Sequence, residues 1–229
     1  MKNVILPLAL LVGVAGAAHA QTGFKYGVKG GFNGSTYTGG GTIGTDTGVK
    51  PGFAAGVLVN YGFTDNAAIQ VEGLYSQKGA FKDKYGFGTT AQQGQQYRST
   101  LSYIDVPVLF KYTIGEAGKG FFFELGPQAS FAVGLREFLR PQGAKANSGD
   151  EITLSENRDR LVPVGVGYVG GFGYQITSGL GLGVRYTGDF TNVYKDGFAA
   201  GNLGNAGGSD NNFRNGVFQF QAHYLFGGK

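Results

Sequence analysis

Over residues 217–226 the chain reads VFQFQAHYLF, with Phe218, Phe220, Ala222, Tyr224 and Phe226 on one parity and Gln219, Gln221 and His223 on the other. Successive side chains of a β-strand point to opposite faces, so this segment reads as a strand with one aromatic face and one amide-rich face. The pattern recurs. Over 179–190, Leu180, Leu182, Val184 and Tyr186 oppose Gly181, Gly183, Arg185 and Thr187; over 67–79, Ile69, Val71 and Tyr75 oppose Gln70, Glu72, Ser76 and Lys78. Over 98–113, Ile104, Val106, Val108, Phe110 and Tyr112 oppose Tyr103, Asp105 and Lys111; over 24–33, Phe24, Tyr26, Val28 and Phe32 oppose Lys25, Lys29 and Asn33. With 51–62, 120–134, 162–176 and 214–226, these make eight predicted strands.

The connections between them alternate in length. Short turns fall at 63–66, 114–119 and 177–178, and long loops at 34–50, 80–97, 135–161 and 191–213. Outer-membrane barrels show short turns at the periplasmic end and long loops outside, and an even strand count puts both termini in the periplasm. No fixed-period repeat of the kind a solenoid needs is present.

Two barrels fit such alternation with opposite polarity. A soluble, lipocalin-like barrel turns its apolar face inward and solvates the other; a membrane barrel turns the apolar face to lipid and keeps polar groups in the lumen. The polar faces here are thin for a solvated exterior, being rich in glycine with few charges per strand. They suit a lumen, where Lys25, Lys29, Lys78, Lys111 and Arg185 nearly balance Glu72, Asp105 and Glu124. Tyr61, Phe63, Tyr75, Tyr112, Tyr186 and Phe226 stand near strand ends, as interfacial girdles do.

Composition narrows the class. Lys2, an apolar run from Val4 to Ala18 and the small-residue Ala18-His19-Ala20 predict a secretory leader over 1–20, cut after Ala20, with a barrel domain over 21–229. Without Lys2, 18 basic side chains (19 less one) face 15 acidic ones, a net +3 that does not argue for nucleic-acid binding. The 44 glycines exclude a helical protein, since each interior glycine costs about 1 kcal/mol relative to alanine. The absence of Cys rules out a lipid-modified lipoprotein and any disulfide framework. Beyond the leader no apolar run reaches the roughly 18 residues of a spanning helix, so a membrane crossing has to be made by a closed barrel.

The segments GVKGGFNGS (27–35), PGFAAGVLV (51–59), QVEGLYSQKGA (70–80), LSYIDVPVLFKY (101–112), FFFELGPQASF (121–131) and GLGLGVRYTGDFTNV (179–193) resemble, in this order, the PorT-like outer-membrane β-barrel family common in Bacteroidetes. Glu72–Gly79 and Tyr103–Pro107 are the most specific parts. The resemblance implies a small, OmpA-like eight-stranded barrel in the outer membrane of a Gram-negative cell. One member of that family serves protein secretion and most have no assigned activity, so it brings no catalytic residue to this chain.

Candidate chemistry is sparse. His223 is the single histidine after the leader, and a barrel hydrolase would have to pair it with Ser130 or Ser76. One His and no Cys argue against a transition-metal site, and Asp46 with Asp210-Asn211-Asn212 lacks EF-hand spacing. Gly39-Gly40-Gly41 has no strand-to-helix setting for a nucleotide. The charges over 135–161, five basic and five acidic, read as a solvated loop. Glu72, Asp105, Lys111, Glu124, Arg185 and His223 are expected to form a lumen polar network, because eight strands leave room for side chains but little water and buried charges must pair.

The sequence thus predicts an all-β, eight-stranded antiparallel up-and-down transmembrane barrel, without catalytic, cofactor or metal sites, acting structurally or through long outer loops. A narrow porin-like channel for ions or small solutes is the alternative. Expected partners are outer-membrane lipid, the barrel-assembly machinery during insertion, and envelope or secretion-system proteins, with no nucleic acid.

Overall fold

The computed structural model describes residues 23–39, 47–85, 95–115, 119–140, 152–177, 179–195 and 212–226, and of 82–85 and 95 the backbone alone. The predicted leader, Gly40, Gly41, Asp46, Asp210 and Asn211 lie outside these.

Nine strands form one antiparallel sheet: β1 Phe24–Thr38, β2 Lys50–Gly62, β3 Ala67–Tyr85, β4 Gln95–Ile114, β5 Gly120–Arg140, β6 Ile152–Ser155, β7 Val164–Gln175, β8 Leu180–Asp189 and β9 Arg214–Phe226. Eight of them close a ring in the order β4-β3-β2-β1-β9-β8-β7-β5, sealed by β4 pairing with β5. Closure removes every edge from lipid. The ninth, β6, lies outside the ring and pairs with Glu137–Leu139 of β5, above the part of β5 that pairs with β7.

Paired residues lead once round the ring from Phe24 through Tyr61, Ile69, Phe110, Leu125, Gly170, Tyr186 and Phe218 to Gly34. The walk returns to β1 ten residues further on, a shear of 10 for eight strands. At about 3.3 Å rise per residue and about 4.8 Å between strands, this shear tilts the strands by roughly 40°. An even shear preserves parity, so every residue on the walk faces outward.

Around the middle of the strands the outward face is apolar: Phe32 is 77% exposed, Phe220 67%, Phe218 66% and Leu125 64%. Alternation sets this directly, since the intervening Gln219, Gln221 and His223 are each 5% exposed or less. The exposed row runs from Phe121 to Val133 on β5 and from Phe218 to Phe226 on β9. With the strand tilt that is an apolar band about 20–30 Å tall, the thickness a transmembrane barrel presents to lipid. Phe24, Tyr61, Phe63, Tyr112, Phe121, Tyr174 and Phe226 crowd its short-turn end, where Phe24 packs at a tilt on Tyr61 and Phe121 meets Tyr174 edge to face.

Two of the short turns share one device. Thr64 Oγ1 accepts from the backbone N–H of Asn66 and Ala67, and Thr177 Oγ1 from those of Gly179 and Leu180. A threonine side chain here stands in for a turn carbonyl. Asn66 Nδ2 also donates to the Thr113 carbonyl at 2.7 Å, tying neighbouring hairpins together.

The strands at the opposite end outrun the sequence reading. β3 continues to Tyr85 and β4 begins at Gln95, so much of the predicted 80–97 loop is sheet, as is 135–140. The cause on β5 is a register shift: Tyr103 pairs with Ala132 but Ser102 with Gly134, leaving one extra residue on β5. Such a bulge flips the inward–outward alternation beyond it, so Leu135, Glu137 and Leu139 point inward where the earlier parity would turn them out.

Candidate functional site

The lumen holds the polar side chains in levels. Near the short-turn end, Lys111 Nζ donates to Gln175 Oε1 at 3.2 Å, and His223 Nε2 lies 3.3 Å from Lys111 Nζ and 3.0 Å from Gln175 Oε1. Lys111 also stands 4.2 Å from the centroid of the buried Phe122 ring. Room for the imidazole comes from Gly181, where a Cβ would lie 2.5 Å from His223 Cε1.

One level up, Glu72 accepts from Arg185 Nη1 at 2.8 Å, from Gln70 Nε2 at 2.7 Å and from the Lys29 ammonium. Glu124 accepts from Gln221 at 2.7 Å and stands 3.9 Å from both Lys29 and Arg185. Gln219 Nε2 donates to Asn33 Oδ1 at 2.8 Å, and Asn33 Nδ2 to Ser76 Oγ at 3.1 Å. Above them Lys78 Nζ donates to Asp105 at 3.0 Å and to Ser130 Oγ at 3.2 Å.

Two of these contacts cross the whole bore. β3, carrying Glu72, and β8, carrying Arg185, are four strands apart in either direction round the ring; so are β4, carrying Lys111, and β9, carrying His223. An eight-stranded barrel is just narrow enough for side chains from opposite walls to meet.

The charges expected to find one another do so in part. Arg185 lies against Glu72 and Glu124, whereas Asp105 takes Lys78. Lys111 has no carboxylate within 4 Å among the described residues, and its surroundings are an amide, an imidazole and an aromatic face. Lys29 and Lys78, noted in the sequence only as balancing charges, are central members. His223 lies at the Lys111 level, while Ser130 hydrogen-bonds with Lys78 and Gln128, and Ser76 with Asn33. The histidine and the two serines are not brought together. Among the described residues no group of three or more His, Cys, Asp or Glu could hold a metal ion.

Beyond the apolar band a second cluster packs over the bore, most of it from segments that the sequence reading placed in loops. Tyr37, Tyr97, Leu101, Leu135, Leu139, Leu161, Tyr194 and Phe213 pack together as a buried core. Glu137, 0% exposed, sits within it and accepts from Tyr97 Oη at 2.7 Å, Tyr194 Oη at 2.6 Å and Arg160 Nη1 at 2.8 Å. Tyr37 Oη donates to Ser99 Oγ at 2.8 Å. Burial, and in Tyr97 next the charge of Glu137, pushes these phenols well above the usual tyrosine range. Backbone bonds from Val162 to Val193, Lys195 to Arg160 and Val193 to Phe213 lace the loop segments over the opening. The signal for this core was alternation continuing past the apolar band, at Tyr97, Ser99, Leu101 and Tyr103, and the β5 bulge hid its counterpart.

A family model described as outer membrane protein beta-barrel domain matches residues 19–195, more than three quarters of the chain. The chain belongs to the outer membrane protein beta-barrel domain family. Membership of that family places the barrel in an outer membrane, where its apolar band meets lipid. Similar solved structures include Ail, the attachment invasion locus protein of Yersinia pestis (TM-score 0.43, 11% identity, 90% of this chain and 100% of that one). Neisserial surface protein A aligns with TM-score 0.43 and 14% identity over 90% of this chain and 98% of that one. OprG from Pseudomonas aeruginosa aligns with TM-score 0.40 and 12% identity over 90% and 97%. No curated protein matches the chain.

Proposed function

We propose that this outer-membrane barrel is a closed scaffold, its lumen network serving stability, and that it acts through the sheet it holds above the membrane. The observation that carries the reading is the Glu72–Arg185 contact across the bore, backed by the Glu137 core over the mouth. A bore crossed by side chains at two levels and packed over at a third favours the closed scaffold over the narrow-channel alternative. Among the described residues, the upper part of β3, β4 and β5 with β6 projects outward as a surface stiffened by strand pairing.

Its partners on this reading are envelope components: lipid headgroups, surface polymers or secretion-system proteins of the kind the PorT-like resemblance suggests. The leader directs export, and the aromatic end of β9, Tyr224 and Phe226, serves the assembly machinery during insertion. A photo-crosslinker at Ile152, exposed on β6, tests the reading in native envelopes. Discrete adducts absent from a control at Phe63, among the short turns, are expected; identical labelling from both positions would contradict it.

A further inference from the structure

Above the apolar band, the outward face of β3, β4 and β5 carries alternating aromatic and guanidinium groups. Phe81, Arg98 and Phe138 are cross-strand neighbours in one row, and Arg136 and Arg140 flank Phe138 along β5. The Arg98 guanidinium lies 5.9 Å from the Phe81 ring centroid, and those of Arg136 and Arg140 each lie 5.6 Å from that of Phe138. Like charges gathered on one small surface repel, and stacking on aromatic faces offsets that only in part.

Among the described residues, Arg98 and Arg136 have few anionic partners. Among the described residues Arg98 has neither a hydrogen bond nor an ion pair, and its Nε is buried without an acceptor. Arg136 reaches Glu156 only through Nε at 3.7 Å, with both side chains more than half exposed. Among the described residues, nearby Lys50 donates to the Pro51 carbonyl at 3.4 Å; its burial, and then the charge of Arg98, pulls its ammonium down to about 8.

Height identifies what such a patch meets. Arg136 lies three residues beyond Val133 on β5, and Arg98 six beyond Ile104 on β4, the last large apolar residues facing lipid there. At about 3.3 Å per residue and the barrel's tilt, the guanidiniums stand roughly 8–15 Å above the apolar band. That is the level of the saccharide headgroups of an outer-leaflet glycolipid, whose acyl chains would lie along the outward face below.

We propose that Arg98 and Arg136 bind the phosphorylated saccharide headgroup of a glycolipid in the outer leaflet. A guanidinium offers paired donors that match phosphate oxygens, and basic groups just outside a membrane span favour anionic lipid. This specifies one partner class for the projecting sheet and rests on that reading only for the sheet facing outward.

The test is native mass spectrometry of the full chain, refolded in detergent and titrated with bisphosphorylated lipid A. Wild type should retain one lipid about tenfold more strongly than lipid A stripped of its phosphates, a comparison that needs no variant. Arg98→Gln with Arg136→Gln should lose a similar factor. Arg214→Gln, an exposed site on β9 across the ring, should lose nothing. Equal retention of the dephosphorylated lipid, equal loss in the Arg214 variant, or displacement by inorganic phosphate as readily as by lipid would overturn the proposal. A failure here leaves crosslinking from Ile152 unaffected, so the two readings fail separately.

Discussion

Glu72 of β3 and Arg185 of β8 project from opposite walls of the barrel and meet at 2.8 Å across its bore. Each is 5% exposed or less, so neither charge has water to fall back on if its partner is lost. Lys29 also holds Glu72 and Glu124 stands 3.9 Å from Arg185, so removing one member strands the other in part, a loss of up to about 3–5 kcal/mol, whereas replacing both with neutral groups costs less. Arg185→Met and Glu72→Gln should each lower urea-unfolding stability in lipid vesicles by that order, and the double variant should lose less than the two singles together. Additive losses would show that the two side chains do not interact.

The mouth depends on Glu137 in a comparable way. Glu137→Ala removes the carboxylate that two tyrosine hydroxyls and the Arg160 guanidinium share, at up to about 1–3 kcal/mol for each buried group. The segments laced over the opening should then be cut by added protease while the membrane band stays intact. Unchanged digestion would place the mouth's stability in its apolar packing alone.

High pH should loosen the same cluster. Tyr37, Tyr97 and Tyr194 hold their protons in the fold beyond the usual tyrosine range, whereas in the unfolded chain they release them near about 10. Above that value the unfolded state binds fewer protons than the fold, so stability falls as pH rises; below it these groups contribute no slope. Near-ultraviolet titration should show a late-ionising subset of the 13 tyrosines, smaller by three after these are changed to Phe. A single titration of every tyrosine would contradict the buried cluster.

At Gly181 the lumen has no space for a side chain beside His223. Gly181→Val should destabilise by about 1–3 kcal/mol through overpacking, and His223→Ala in the same chain should recover part of it. Recovery absent from the double variant would mean the strain lies in the backbone rather than against the imidazole.

Much of this barrel was legible in its sequence because one face of every strand meets lipid and the other a packed lumen. The parity of Phe218, Phe220, Tyr224 and Phe226 against Gln219, Gln221 and His223 could hardly be read otherwise. Pairing within the lumen was less accessible: which carboxylate Arg185 meets depends on the shear, a property of all eight strands together. The mouth core was hidden for a different reason. Past the β5 bulge the alternation reverses, and Glu137, seated among Arg136, Phe138 and Arg140, resembles a solvated loop acid until the register is known.

Single-channel recording on the refolded protein in planar bilayers tests the central claim, that the lumen is closed by Glu72–Arg185 and Lys111–His223 and capped by the Glu137 core. Wild type should show no conductance steps above the bare-membrane leak, and Glu137→Ala combined with Arg185→Ala should raise the leak measurably. Well-resolved steps from the wild-type barrel, unchanged by that pair of substitutions, would show an open path through the lumen and contradict the account.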